Sequence, residues 1–391
     1  MTTQKPSTLL VHSDYVPPSG FGGLPVPIYH ASTVTYPNVA AMRARDWRRD
    51  DGYTYGLHGT PTTFTLEHRI ASMEGGRHTV LAPSGLAAIM LIDLALLKCG
   101  DDMLLPDNVY GPSRELGTTL LRDCGISVRY YDPLLGASIG GEILSNTKLI
   151  WIEAPGSVTM EVPDIPAIVA AAKARGVLTA IDNTWAGGVL FRPFDHGVNI
   201  SMHALTKYVS GGSDVLMGAA TTVDPLLHER IKLAHMRLGL GIGADDAYLI
   251  LRGLPTLELR LRHHEKSAMT VAAWLSTRPE IVRMLHPAYP DCPGHSHWKR
   301  DFQGSGGLFS VVFRSDLEQS RIDAMVDALK LFRIGFSWGG SHSLVVPYLM
   351  QSARSAVPWT AGSLVRLYIG MEDPSDLIAD LDQAFAGLLP S

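Results

Sequence analysis

The sequence predicts an α/β protein: a mostly parallel, mixed sheet flanked by helices, a smaller α+β domain after it, and an irregular arm before it. Three observations carry that expectation. Strand-like apolar runs alternate with helical patterns from His78 to Ile181, the order expected of a doubly wound sheet. A long helical pattern over Ala244 to Leu275, broken around Gly253-Leu254-Pro255, then leads into shorter runs in a different order. Up to about Thr60 the chain is rich in Pro and Gly and shows little periodicity. The expected division is an arm over 1–60, a sheet domain over 61–257 and a C-terminal α+β domain over 258–391.

Taken in order, a helix is expected from Thr63 to Met73, a strand at Thr79 to Ala82, a helix from Gly85 to Lys98 and a strand at Asp102 to Leu105. A helix over Ser113 to Asp123 follows, then strands at Ser127 to Tyr131 and Leu149 to Glu153, a helix over Ile165 to Ala174, and a strand ending at Ile181. A short apolar run at Val198 to Met202 comes next. The last part reads as a strand at Leu308 to Phe313, a helix from Leu317 to Phe332, strands at Ser343 to Val346 and Leu364 to Ile369, and a final helix with Asp373 as N-cap and Pro374 in its first turn.

Composition narrows the function. With 391 residues, 46% hydrophobic and 18% charged, the chain has ample material for a core. A net charge of -5 and the absence of Lys/Arg runs argue against a nucleic-acid partner. Cys99, Cys124 and Cys292 are far apart and form neither a disulfide framework nor a zinc pattern, as expected in a reducing cytoplasm. The start of the chain has no apolar signal core, and the run Leu86 to Leu97 contains Asp93 and is too short to span a bilayer, so no membrane partner is expected. His295 and His297 have no third ligand at zinc spacing, and no metal site is expected.

Two polar groups stand just past strands. Asp182 closes the run Val177 to Ile181, and Lys207, flanked by Thr206, follows Val198 to Met202. Ligands gather at the carboxyl ends of parallel strands, so the two can face one cavity. A desolvated lysine loses its proton near neutral pH and can condense with an aldehyde, while a carboxylate can hold a pyridinium nitrogen in its charged form. Together they suggest pyridoxal 5'-phosphate. On type and spacing alone, a helix cap for Asp182 and a solvated cation for Lys207 are the commoner reading.

The runs Glu153 to Val162 (EAPGSVTMEV), Ile181 to Phe191 (IDNTWAGGVLF), Ala204 to Tyr208 (ALTKY) and Ser337-Trp338-Gly339-Gly340 resemble the PLP-dependent Cys/Met metabolism family in the same order, and the likeness extends from about Tyr53 to the C-terminus. The resemblance implies a type I PLP-dependent transferase fold, with Lys207 carrying the cofactor and Asp182 pairing with its ring nitrogen. It places Tyr110 on the ring face, and Gly85, Leu86 and Thr206 around the phosphate. It gives Arg366 to the substrate α-carboxylate, with Ser337 and Trp338 beside it. Tyr55 would reach in from the neighbouring subunit, in a homo-oligomer expected to be a tetramer built from two dimers. The tryptophan after Ser337 resembles the β-lyases, where γ-eliminating relatives carry leucine.

The activity so implied is carbon–sulfur β-elimination from a thioether amino acid, cystathionine first. Cystine or other cysteine conjugates, γ-elimination or γ-synthesis, and a regulatory protein with little turnover remain as alternatives. The same first steps would also allow slow alanine racemisation as a side activity. A nicotinamide enzyme on the same sheet would need a Gly-x-Gly-x-x-Gly that is not there.

The chain also departs from the family pattern. Leu57 stands where an arginine is usual, followed by His58, so the phosphate charge must be met by His58, by another group, or not at all. Phe336 and Ser341-His342-Ser343 differ from the usual residues near the substrate's distal end.

Overall fold

The computed structural model describes residues 5–12, 15–48, 52–350 and 354–388. The remaining residues of the expected arm (1–4, 13–14 and 49–51), like 351–353 and 389–391, lie outside it.

The first sheet has seven strands: β1 (His78–Ala82), β2 (Asp102–Pro106), β3 (Ser127–Tyr131), β4 (Thr147–Glu153), β5 (Leu178–Asp182), β6 (Ile200–His203) and β7 (Gly218–Thr222), in the spatial order β1-β7-β6-β5-β4-β2-β3. Neighbours from β6 to β3 run parallel, whereas β7 is antiparallel to both β1 and β6. Every residue of β2 and β7 is buried, the pattern of strands covered on both faces by helices. The order places the ends of β4, β5 and β6 side by side, with Glu153 opposite Asp182 and Asp182 opposite Met202.

Local sequence sets the helices that matter for this site. Thr60 and Thr63 form a capping box, Pro61 occupies the first turn, and Gly75 closes the helix Pro61–Glu74 in the left-handed region. Ser84 caps the next helix, Gly85–Leu96, by accepting from Ala87 N–H at 3.1 Å. The helix expected over Ser113 to Asp123 starts earlier, at Gly111–Leu116, and widens into a π turn over Gly117–Leu121.

A second sheet of five strands, β8 (Ile281–Leu285), β9 (Leu308–Phe313), β10 (Arg333–Ile334), β11 (Leu344–Tyr348) and β12 (Leu364–Tyr368), is ordered β10-β11-β12-β9-β8. The helix Leu257–Leu275 ties the two sheets together: Leu257 and Leu261 pack into the core under the first, and Ala268, Val271 and Leu275 into the core of the second. Each such fully buried leucine contributes roughly 2 kcal/mol.

Several elements differ from the sequence expectation. The helix expected from Leu317 to Phe332 is shorter, Gln319–Asp327, and the expected arm contains two short helices, Pro6–Val11 and Val39–Arg43. Strand β7 and the helix Pro225–Leu238 gave no sequence signal strong enough to place them. In β7, Gly-Ala-Ala-Thr-Thr is small because of crowding: a Cβ on Gly218 would lie 2.3 Å from the Ser84 carbonyl oxygen. Steric room overrides β-propensity there.

Candidate active site

A cavity of about 590 Å³ opens at the carboxyl ends of β4, β5 and β6, between the two sheets. Gly85, Leu86, Tyr110, Asp182, Thr206, Lys207, Trp338 and Arg366 all line it, so eight residues singled out in the sequence come together. The ninth, Ser337, reaches in through its hydroxyl, which accepts from Lys207 Nζ at 3.1 Å.

Lys207 lies after β6 in a turn held by Lys207 N–H to the Ala204 carbonyl and Gly211 N–H to the Lys207 carbonyl. Its ammonium sits 5.5 Å from the Trp338 ring centroid. Burial above all, with the Arg366 charge adding to it and Asp182 working the other way, lowers its pKa to about 8. The segment bearing Ser337 and Trp338 can approach because of Gly339. Its φ of 91° lies in the left-handed region, and a Cβ there would lie 2.6 Å from both the Lys207 carbonyl carbon and the Tyr208 nitrogen.

Asp182 ends β5 and accepts from Thr184 N–H at 3.0 Å, and Thr184 in turn accepts from Ala204 N–H at 2.9 Å. Burial raises the Asp182 pKa; the Thr184 hydrogen bonds and the nearby His203 and Lys207 charges oppose that shift. Beneath it, buried Glu74 accepts from Asn183 Nδ2 at 3.2 Å and holds the His203 ring at 2.9 Å, while Ser201 donates to the same carboxylate. That network fixes the base of β5 and β6.

At the start of the helix Gly85–Leu96, the amides of Gly85 and Leu86 have no intrahelical acceptor and suit an anion. A side chain at Gly85 would meet Ala204 Cβ at 2.7 Å, so the cradle requires glycine. Thr206 uses its hydroxyl differently from the expectation: it contacts the Met217 carbonyl at 3.2 Å and accepts from Met217 N–H at 2.9 Å, bracing the loop after β6.

Arg366 is 8% exposed and donates to the Phe336 carbonyl at 2.7 Å, with the Tyr348 ring 5.4 Å away. Among the described residues it has no carboxylate partner. Burial lowers its pKa from an ordinary guanidinium value. A desolvated planar fork without an anion, facing a cavity, is suited to take a carboxylate from a ligand.

Tyr55 and His58 do not line this cavity. Tyr55 is 47% exposed, and His58 lines a separate small cavity with Leu57, Lys232 and His235. The His58 Nδ1 atom lies 2.8 Å from Thr54 Oγ1, and its pKa is lowered by burial and by Lys232. A ring favoured in its neutral form is a poor substitute for the guanidinium charge absent at Leu57.

The structure adds residues that the sequence reading did not single out. Glu153, opposite Asp182, accepts from Tyr110 N–H at 2.8 Å and Ser157 Oγ at 2.6 Å. Asp107 collects the N–H groups of Ser355, Ala356 and Val357 at 2.7 to 3.1 Å, together with Arg114 at 2.7 Å. Burial alone would raise its pKa, but those donors outweigh it and hold the carboxyl well below the usual range. Arg354 bonds Glu161 at the same end of the cavity. Glu153 stood inside a quoted run, but only its cross-strand position gives it a role; Arg354 follows a stretch without any pattern.

These features fit pyridoxal 5'-phosphate: an amine poised near neutrality, a buried acid for the ring nitrogen, free amides at a helix start for the phosphate, and room for a second small molecule. Comparison with known proteins agrees. The cystathionine beta-lyase MetC of Escherichia coli K12 is 39% identical over 396 residues, covering all of both chains. An L-alanine/L-glutamate racemase of Wolbachia pipientis is 39% identical, covering 94% of this chain and 93% of its own length. The crystal structure of metB from Corynebacterium glutamicum superposes with a TM-score of 0.90 at 30% identity over 99% of each chain. The profile of the Cys/Met metabolism PLP-dependent enzymes matches residues 7–386, and the chain belongs to that family.

Proposed function

We propose that this enzyme cleaves a carbon–sulfur bond by β-elimination, with cystathionine as the substrate of first choice and homocysteine, pyruvate and ammonia as products. The observation that carries the reading is the Lys207 amine bonded to Ser337 Oγ, with Trp338 over it and Arg366 in the same cavity. When bound, pyridoxal 5'-phosphate supplies the electron sink that makes the substrate's Cα–H bond acidic.

The chain's own groups do the rest. Arg366 takes the α-carboxylate and fixes Cα near Lys207. The Lys207 amine removes the Cα proton and returns it to the departing thiolate sulfur. Asp182 would hold the ring nitrogen in its charged form, and Tyr110 would cover the ring, an aromatic contact of about 1 kcal/mol. Trp338 closes one wall and limits water around the amine.

The identity of the keto acid tests the substrate. Incubated with cystathionine, the enzyme is expected to form pyruvate; 2-oxobutyrate would move the assignment to γ-elimination, and alanine racemisation without either would favour the chemistry named for the Wolbachia relative. The reading also includes a domain division near Leu257 and at least a dimer. Tyr55 stands exposed away from its own chain's cavity, which suits a residue serving the partner's site.

Leu57→Arg is expected to slow cofactor loss on dialysis by about 10- to 100-fold, the worth of one charge-assisted hydrogen bond set. Following the visible band over time measures it. Equal retention would mean that the phosphate is already fully neutralised.

A further inference from the structure

A second pocket, of about 10 Å³, lies between the first sheet and the helix Gly85–Leu96, and Glu153 and Asp182 line both it and the main cavity. Its other polar walls are Asp93 and Ser113. Asp93 is 1% exposed, and its Oδ1 accepts from Trp151 Nε1 at 2.8 Å. Its second oxygen takes no donor among the described residues. Ser113 Oγ is buried and also has no hydrogen-bond partner. An unpartnered hydroxyl and a half-satisfied carboxyl around a space of one water's volume are what a buried water needs to be held.

The charges around this pocket do not balance if all three carboxyls are ionised. Glu153, which is buried, and Asp182, which is half-buried, are cross-strand neighbours, and two adjacent desolvated carboxylates cannot both ionise cheaply. The groups facing them decide which one keeps its proton. Asp182 has Thr184 N–H, with Lys207 and His203 close enough to favour its charge. Glu153 has the neutral N–H groups of Tyr110 and Ser157, while the Ser157 hydroxyl at 2.6 Å can equally accept from a protonated carboxyl; its other titratable neighbours are Tyr110 and Tyr131 on β3. Asp93 has only the Trp151 indole, and no cation on the helix or the sheet faces it. Burial raises Asp93 to about 7 and raises Glu153 as well, with Asp182 adding to the shift on Glu153.

We propose that Glu153, backed by Asp93 across one water seated on Ser113, is a positioning acid that stays protonated, anchors the Tyr110 loop by its backbone N–H, and leaves Asp182 as the one charged carboxyl behind the cofactor ring. The inference rests on the cofactor reading of the main cavity and deepens it. It assigns a function to three buried polar residues that no step of the elimination uses. It also ties the placement of the stacking tyrosine to the same proton that protects the charge on Asp182.

Two measurements test it. Infrared spectra of the protein as purified, at about pH 6 where Asp93 is mostly protonated, are expected to show protonated-carboxyl stretches, one lost in Glu153→Gln and another in Asp93→Asn. Ser113→Ala is expected to shift the Asp93 signal through loss of the water. In a visible pH titration of the bound cofactor, Glu153→Gln is expected to keep the wild-type midpoint within about 0.3 units, because the amide replaces a neutral acid. Were Glu153 ionised, removing its charge next to Asp182 and in the same cavity as Lys207 would lower that midpoint by about one unit or more. Such a drop, or the absence of both carboxyl signals, would overturn the proposal. Should the wild type show no cofactor band at all, the reading of the main cavity fails instead, and the infrared signals still decide this one.

Discussion

Lys207→Ala is expected to reduce carbon–sulfur cleavage by at least about 10³-fold, since in the proposed mechanism one group both binds the cofactor covalently and moves the proton at Cα. The fold should tolerate the change. Among the described residues the amine's one hydrogen bond is to Ser337 Oγ, and the Lys207 turn is held by backbone groups that alanine retains. Circular dichroism and the melting temperature should therefore stay near wild type while turnover disappears. The wild-type amine also has a predictable pH response. With a pKa of about 8 it is mostly protonated below that value and mostly neutral above it, so capture of the aldehyde by cofactor-free protein should rise as pH passes through 8 and then level off. A regulatory protein on this fold would keep its partner binding in Lys207→Ala, and that outcome would separate it from a lyase.

Arg366→Ala carries the second large effect. The guanidinium is buried, lacks an anionic partner among the described residues and faces the cavity. Removing it leaves a substrate carboxylate desolvated and unpaired, a loss of about 3 to 4 kcal/mol, or about 10²- to 10³-fold in kcat/KM. Arg366→Lys should recover only part of this, because an ammonium supplies one donor direction where the fork supplies two. The split is informative. A carboxylate contact made equally in ground and transition states appears in KM, whereas a lower kcat would mean that Arg366 also aligns Cα with Lys207. Unchanged kinetics in Arg366→Ala would remove it from the substrate site.

How much of this was legible in the sequence depended on what each residue answers to. Asp182 and Lys207 were readable because each follows an apolar strand run, and strand ends in a parallel sheet share one edge. Gly85 and Leu86 were readable because Ser84 caps a helix directly after β1. The same logic failed for β7: its small residues are dictated by the Ser84 carbonyl at Gly218, a contact that no periodicity encodes. Glu153 was hidden differently. In sequence it is the polar end of one more strand, and its role comes from the register that sets it opposite Asp182 and under the Tyr110 amide. Thr206 was placed correctly in space, but its hydroxyl serves Met217, because the loop after β6 needs bracing more than the cavity needs another donor.

The departure at Leu57 has a physical meaning as well. Its neighbour His58 could supply charge only if protonated, and burial together with Lys232 works against that. On the proposed reading the phosphate would then depend more on the helix-start amides of Gly85 and Leu86. That is why cofactor retention, more than turnover, is the property expected to respond when arginine is restored at this position.

The proposed chemistry depends on the amine of residue 207 carrying the cofactor in the resting enzyme. Borohydride reduction of the purified protein followed by peptide mass mapping measures this directly. The expected result is one modified peptide, with the added cofactor mass on Lys207 and loss of the visible band. A label on another lysine, or no label after incubation with excess pyridoxal 5'-phosphate, would contradict it.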